Sequence, residues 1–129
     1  MTAPDLARKF YSTGRLASTL RGMSEKESLP SFLPELQAII QSRKSAAAES
    51  SYTAKLFSKG LDKILQKVGE EAVEFIIDAK NKHKERIISE GADLLYHFLV
   101  SLAALDIDLT EIEAELQKRH AEKINANHR

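Results

Sequence analysis

The stretch DKILQKVGEEAVEFIIDAKNKHKERIISEGADLLYHFLVSLAAL, residues 62–105, decides the fold of this chain. Its apolar residues recur at helical rather than alternating spacing, so it predicts two helices joined by a turn at Asn81–His83. The first runs from Lys63 to about Lys80 behind an N-cap at Asp62. Its stripe is Ile64, Val68, Ala72, Phe75 and Ala79, with Leu65 and Ile76 beside it. The second, from about Lys84 to Leu105, is apolar nearly all round: Ile87, Ile88, Leu94, Leu95, Phe98, Leu99, Val100, Leu102 and Leu105 cover most of its circumference. A helix of that kind is normally buried.

Against this apolar background stand two acidic clusters, Glu70-Glu71-x-x-Glu74 and Glu90-x-x-Asp93. At about 100° per residue the first three span an arc of about 100°, and Glu90 and Asp93 lie about 60° apart. Carboxylates gathered this closely repel, and burying them is costly unless they are paired or coordinate a metal. A hard divalent cation compensates them and, in the case of Mg²⁺, bridges to phosphate oxygens. The clusters therefore point to metal-assisted phosphate chemistry. The plainer alternative is an exposed edge, salt-bridged to nearby Lys and Arg; a second cluster one helix away weighs against it.

His97 and Ser101 continue the strip of Glu90 and Asp93. His97 suits a hydrogen-bonding core histidine as well as a functional group. Lys63 and Lys67 fall between Glu70 and Glu74 on the wheel, either within reach of substrate phosphates or as part of a solvated, charge-mixed face. Lys59, with Lys55 and Arg86, is a further cation candidate.

Outward from the hairpin, Pro30 and Pro34 frame a helix start, with Ser31 available as its cap and the helix running from about Phe32 to Ser42. A loop rich in Ser and Ala follows. Ser51 or Thr53 caps a short helix that Gly60 stops after Lys59. Asp108 with Glu111 makes a capping-box start for a last helix through His120, beyond which Asn125–Arg129 should fray. The expected fold is all-α, with four to five helices and an antiparallel hairpin that carries both acidic clusters. The expected organisation is a flexible N-terminal extension at 1–30, an all-α domain at 31–122 and a fraying tail at 123–129.

A chain of 129 residues is one domain with one core. With 19 basic against 19 acidic residues there is no global electrostatic case for nucleic acid or an anionic membrane. The absence of cysteine excludes disulfides and thiolate chemistry and is compatible with a reducing, cytoplasmic location. Tyr96, His97 and Ser101 interrupt the longest apolar run before the roughly 18 residues of a spanning helix. Residues 1–22 carry Arg8, Lys9, Arg15 and Arg21 against Asp5 alone. They read as a basic arm, a transit-like segment or an extension upstream of a start at Met23.

Several segments resemble one family. Ser51-Tyr52-Thr53-Ala54-Lys55-Leu56, Lys59-Gly60-Leu61-Asp62-Lys63-Ile64 and Lys67-Val68-Gly69-Glu70-Glu71-Ala72-x-Glu74 are similar to phosphoribosyl-ATP pyrophosphatases of histidine biosynthesis. So are Ala92-Asp93-Leu94-Leu95-Tyr96-His97 and Glu115-Leu116-x-x-Arg119-His120. The likeness covers roughly Leu33 to His120. The acidic motifs alone identify only the wider all-α nucleotide pyrophosphohydrolases.

The resemblance implies hydrolysis of phosphoribosyl-ATP to phosphoribosyl-AMP and pyrophosphate, the second step of histidine biosynthesis. Mg²⁺, or Mn²⁺ in its place, would be held by Glu70, Glu71, Glu74, Glu90 and Asp93. Glu71 or Glu74 would orient or deprotonate the attacking water, and Lys63, Lys67 and Lys59 would meet substrate phosphates. It also implies a homodimer, expected around Leu95, Leu99 and Leu102, and the free-standing form, with no fused cyclohydrolase. Gly91 departs from the family pattern and should weaken its helix by up to about 1 kcal/mol.

Two rivals stand beside this reading. One is a related pyrophosphohydrolase that clears non-standard nucleotides; the other is a non-enzymatic helical interaction module with solvated acids. A carboxylate-bridged di-iron bundle is disfavoured, because no histidine here has Glu or Asp three positions before it.

Overall fold

The computed structural model describes residues 31–128. Their helices are α1 (Leu33–Arg43), α2 (Tyr52–Lys59), α3 (Leu61–Asn81), α4 (Lys84–Ala104) and α5 (Leu109–Asn127), with a 3-10 turn at Ala48–Ser50. No strand occurs among the described residues, as the all-α reading expects. The basic arm, Met23 and the whole expected extension at 1–30 lie outside the described residues.

Local chemistry sets most boundaries. Ser51 caps α2 by accepting a hydrogen bond from Ala54 N at 3.0 Å. Gly60, at φ 93°, closes α2 and opens α3 at once, because only a residue without Cβ takes that backbone easily. Asp62 is therefore not the cap of α3; it sits in the first turn, where its charge still suits the helix dipole. Ser31 is likewise displaced as the cap of α1. Phe32 holds that position with an already helical backbone, and Ser31 Oγ meets Leu33 N only at 3.4 Å. Asp108 and Glu111 form the expected capping box. α5 then continues past His120 to Asn127, since Ala121-Glu122-Lys123-Ile124 contains no breaker.

α3 and α4, of 21 residues each, run antiparallel for about 30 Å, turning at Lys82 and His83, with Lys82 left-handed at φ 60°. The core lies toward the open end of this hairpin. There Ile40 of α1 and Leu56 of α2 pack with Ile64 of α3 and Tyr96, Leu99, Val100 and Leu102 of α4. Lys44, just after α1, donates to the Ala103 carbonyl at 2.8 Å and to Asp106 at 2.6 Å, tying α1 to the end of α4. At the turn end, Arg86 pairs with buried Asp78 at 3.1 Å.

One expectation about the apolar surface, its placement at Leu99 and Leu102, is corrected. α4 is not covered on all sides, and Leu99 and Leu102 are buried within the chain's own core, so of the three expected interface leucines only Leu95 reaches the surface. Val73, Ile76, Ile77, Ile88 and Leu95 are instead between 39% and 63% exposed. Leu65 and Ile76, which flank the α3 stripe, also face outward. By length and hydropathy α4 does qualify as a potential membrane-crossing helix, despite the polar interruptions. In the fold its polar strip is turned inward, and α4 supplies most of the buried core.

The glycines give opposite expectations. Gly91 has ordinary helical backbone, and a Cβ there would lie 3.7 Å from Phe75 Cε2, an unstrained contact. Gly91→Ala should stabilise the fold by roughly 0.5–1 kcal/mol, and Gly60→Ala should destabilise it by at least about as much. Urea denaturation of both variants checks this; destabilisation by Gly91→Ala would mean that the site beside it needs the missing methyl's space.

Candidate metal centre

At the middle of the hairpin, just beyond the core, α3 and α4 turn acidic side chains toward each other. Glu71 comes from α3, Glu90 and Asp93 from α4. One carboxylate oxygen from each lies within 4.8 Å of the others. Glu71 and Asp93 are buried and Glu90 is half-buried. Glu71 Oε2 and Glu90 Oε2 are buried without a hydrogen-bond partner. An unmatched buried carboxylate oxygen is expensive, and three oxygens converging at this spacing fit a hard divalent cation.

The electrostatics report the same crowding. Burial, then the neighbouring charges of Glu74, Asp93 and Glu71, push the Glu90 carboxyl up to about 7. Burial, then Glu71 and Glu74, push Asp93 up to about 6. The nearby Glu71 carboxylate, with some desolvation, holds the Glu74 carboxyl above the usual range. Crowded in this way, these carboxyls hold their protons more tightly than isolated ones would.

The remaining sequence candidates divide. Glu70 stands apart from the three, accepting from Gln66 at 2.7 Å and Lys67 at 3.2 Å, and these bonds lower its pKa. Lys67 bridges Glu70 and Glu71, at 3.2 and 3.3 Å. Burial works against its charge, but the bonds to the two glutamates outweigh that and raise its pKa. Lys63, one turn earlier, acts on Glu70 through space. Lys59 is exposed at the last turn of α2, and Lys55 is exposed on the same helix. Arg86 is committed to Asp78.

His97 is fully buried and hydrogen-bonded at both ring nitrogens. Its Nδ1 lies 2.7 Å from the Asp93 carbonyl and its Nε2 lies 2.8 Å from the Tyr52 hydroxyl. A carbonyl only accepts, so Nδ1 carries the proton and Nε2 accepts from Tyr52. Burial lowers its pKa, which keeps the ring neutral. Tyr52 is the residue at the site that helical periodicity passes over. Lys67, Glu71, Asp93 and Glu70 all act electrostatically on its phenol. Its one sequence signal is its place in the Ser51-Tyr52-Thr53 motif. Thr53 is bonded to Tyr96 in the interior.

A groove of about 600 Å³ between α1 and the start of α5 is lined by Leu33, Pro34, Ile107 and Leu109 among others. None of the acidic candidates lines it.

A pH dependence follows. A carboxyl whose folded pKa is raised stabilises the fold while neutral and loses that contribution as pH climbs through the folded value. The metal-free protein should therefore lose stability as pH rises from about 4.5 toward about 7, the window set by Glu90 and Asp93. Melting curves in EDTA should show this, with Glu90→Gln more stable than wild type at neutral pH and less steep. Identical slopes in the two proteins would refute it.

Comparison with known proteins converges on one family. The phosphoribosyl-ATP pyrophosphohydrolase family model matches residues 33–120. The phosphoribosyl-ATP pyrophosphatase of Ruegeria pomeroyi is 50% identical over 92 residues, 71% of this chain and 88% of the relative. That of Trichlorobacter lovleyi is 55% identical over 88 residues, 68% of this chain and 82% of the relative. A histidine biosynthesis bifunctional protein of Oceanobacillus iheyensis is 48% identical over 92 residues, 71% of this chain but 43% of the longer relative.

Proposed function

The chain belongs to the phosphoribosyl-ATP pyrophosphohydrolase family, and on that premise we propose that it hydrolyses phosphoribosyl-ATP to phosphoribosyl-AMP and pyrophosphate in histidine biosynthesis. The observation that carries the reading is the convergence of Glu71, Glu90 and Asp93, with two buried oxygens left unmatched. These three residues would hold Mg²⁺, or Mn²⁺ in its place. When bound, such an ion supplies positive charge to the phosphate oxygens as negative charge develops on them.

The protein's own groups account for the rest. Glu74 lies close enough to Glu71, Glu90 and Asp93 to interact electrostatically with all three, so it is the group best placed to orient the attacking water and take its proton. Glu71 is the alternative, at the cost of its coordinating role. Lys67, held beside the cluster by Glu70 and Glu71, can turn an ammonium toward substrate phosphates, with Lys63 and Lys59 as further candidate cations. Glu70 serves to hold Lys67 rather than as a ligand. A cytoplasmic location accords with the cysteine-free sequence.

Pyrophosphate release from phosphoribosyl-ATP with Mg²⁺ tests the reading, against a panel of nucleoside triphosphates. Asp93→Asn and Glu74→Gln should each lower turnover by about a hundredfold or more while the helical circular dichroism is kept. Preference for a non-standard triphosphate would favour the clean-up enzyme instead. Wild-type turnover in both variants would remove these residues from the mechanism.

The second part of the proposal is a homodimer. Val73, Ile76 and Ile77 of α3 with Ile88 and Leu95 of α4 leave much apolar side chain uncovered on a small domain. Light scattering should give a dimer at micromolar concentration, and Ile77→Glu combined with Ile88→Glu should give a monomer. A monomeric wild type would overturn it.

A further inference from the structure

The Tyr52 hydroxyl has a fixed polarity that the catalytic reading leaves unused. The chain of bonds from it ends on the Asp93 carbonyl, which can only accept. His97 Nδ1 must therefore donate there at 2.7 Å, and His97 Nε2 must accept at 2.8 Å from Tyr52. With its proton committed inward, the phenol oxygen has only lone pairs to offer on its other side. Tyr52 is half-buried, its ring set edge-on to His97 with centroids 5.8 Å apart, so the oxygen is held in place. The partner it suits is a hydrogen-bond donor. Lys67 donates to Glu70 and pairs with Glu71, and it makes no hydrogen bond to the phenol. Glu71, Glu90 and Asp93 supply three oxygens, whereas a hard divalent ion takes six or more and Mg²⁺ keeps several waters.

We propose that Tyr52 is a positioning residue whose phenol oxygen accepts a hydrogen bond from water in the coordination shell of the cation, oriented through His97 by the backbone of Asp93. This rests on the metal reading above, and the test separates the two. Outer-shell partners of this kind typically alter metal affinity by about ten- to a hundredfold.

Calorimetric titration with Mn²⁺ alone, without nucleotide, is the measurement. If wild type binds no Mn²⁺, the metal reading itself fails. If it binds, Tyr52→Phe should weaken the dissociation constant by about tenfold. His97→Asn, which keeps a donor near Nδ1 but removes the acceptor that fixes the hydroxyl, should do the same, whereas His97→Gln, with an amide oxygen near Nε2, should restore much of the affinity. Thr53→Val serves as the control: it removes the neighbouring buried hydroxyl bonded to Tyr96, and should lower the melting temperature without changing Mn²⁺ affinity. A Tyr52→Phe constant within twofold of wild type overturns the proposal, as does an equal loss in Thr53→Val. An effect confined to KM for the nucleotide, with Mn²⁺ affinity intact, also overturns it and moves Tyr52 to a substrate hydroxyl. Should Tyr52→Phe fail to fold, the His97→Asn and His97→Gln pair decides alone: equal affinities in the two refute the relay.

Discussion

Like charge buried between two helices is the constraint on which the rest of this structure depends. Two full carboxylate charges within 4.8 Å repel by about 3 kcal/mol even at an effective dielectric of about 20, and here three such groups meet where α3 and α4 would otherwise close on apolar side chains. The hairpin stays shut because it is fastened on both sides of the cluster. Toward the open end, Ile64, Leu99 and Val100 are sealed by α1 and α2. Toward the turn, Asp78 and Arg86 join the two helices directly. Between these fastenings the acids are held close regardless of their mutual repulsion, which is how a protein preorganises a cation site before the cation arrives.

The fastening also explains the division of labour among the helices. α1 and α2 contribute little chemistry but cover the apolar side of α4, and α2 brings Tyr52 to the edge of the acids. α5 starts against the core through Leu109 and Ile112, and beyond them its side chains are exposed. Its own stability comes from the capping box and from pairs such as Glu115–Arg119 at 2.8 Å.

Much of this was legible in the sequence. Helical spacing located the hairpin, and the wheel placed Glu71 with Glu74 and Glu90 with Asp93 because helical geometry alone fixes those angles. What the wheel could not do was rotate one helix against the other. Glu70 and Glu71 are neighbours in sequence and both meet Lys67, yet one is exposed and the other is buried among the acids of α4. The same limit applied to Leu99 and Leu102, whose burial depends on helices from elsewhere in the chain. Caps were readable where a side chain acts on its own helix, as at Ser51 and Asp108, and misread at Asp62, because a single residue, Gly60, separates the two helices and caps both. Tyr52 was invisible to periodicity, since its partner is forty-five residues away.

Gly60 carries a consequence for how such chains tolerate changes of length. It is the whole connection between α2 and α3, serving as the last cap of one and the first of the other. Adding or deleting one residue within α2 would turn Tyr52 about the helix axis by about 100° relative to α3, carrying its hydroxyl off His97 and away from the acids. The loop on the other side of α2, between Arg43 and Ser51, holds no such register and can absorb extra residues on the surface at small entropic cost. Insertions among homologous chains are therefore expected before Ser51 and not between Tyr52 and Gly60: the distance along the backbone from tyrosine to glycine acts as a ruler.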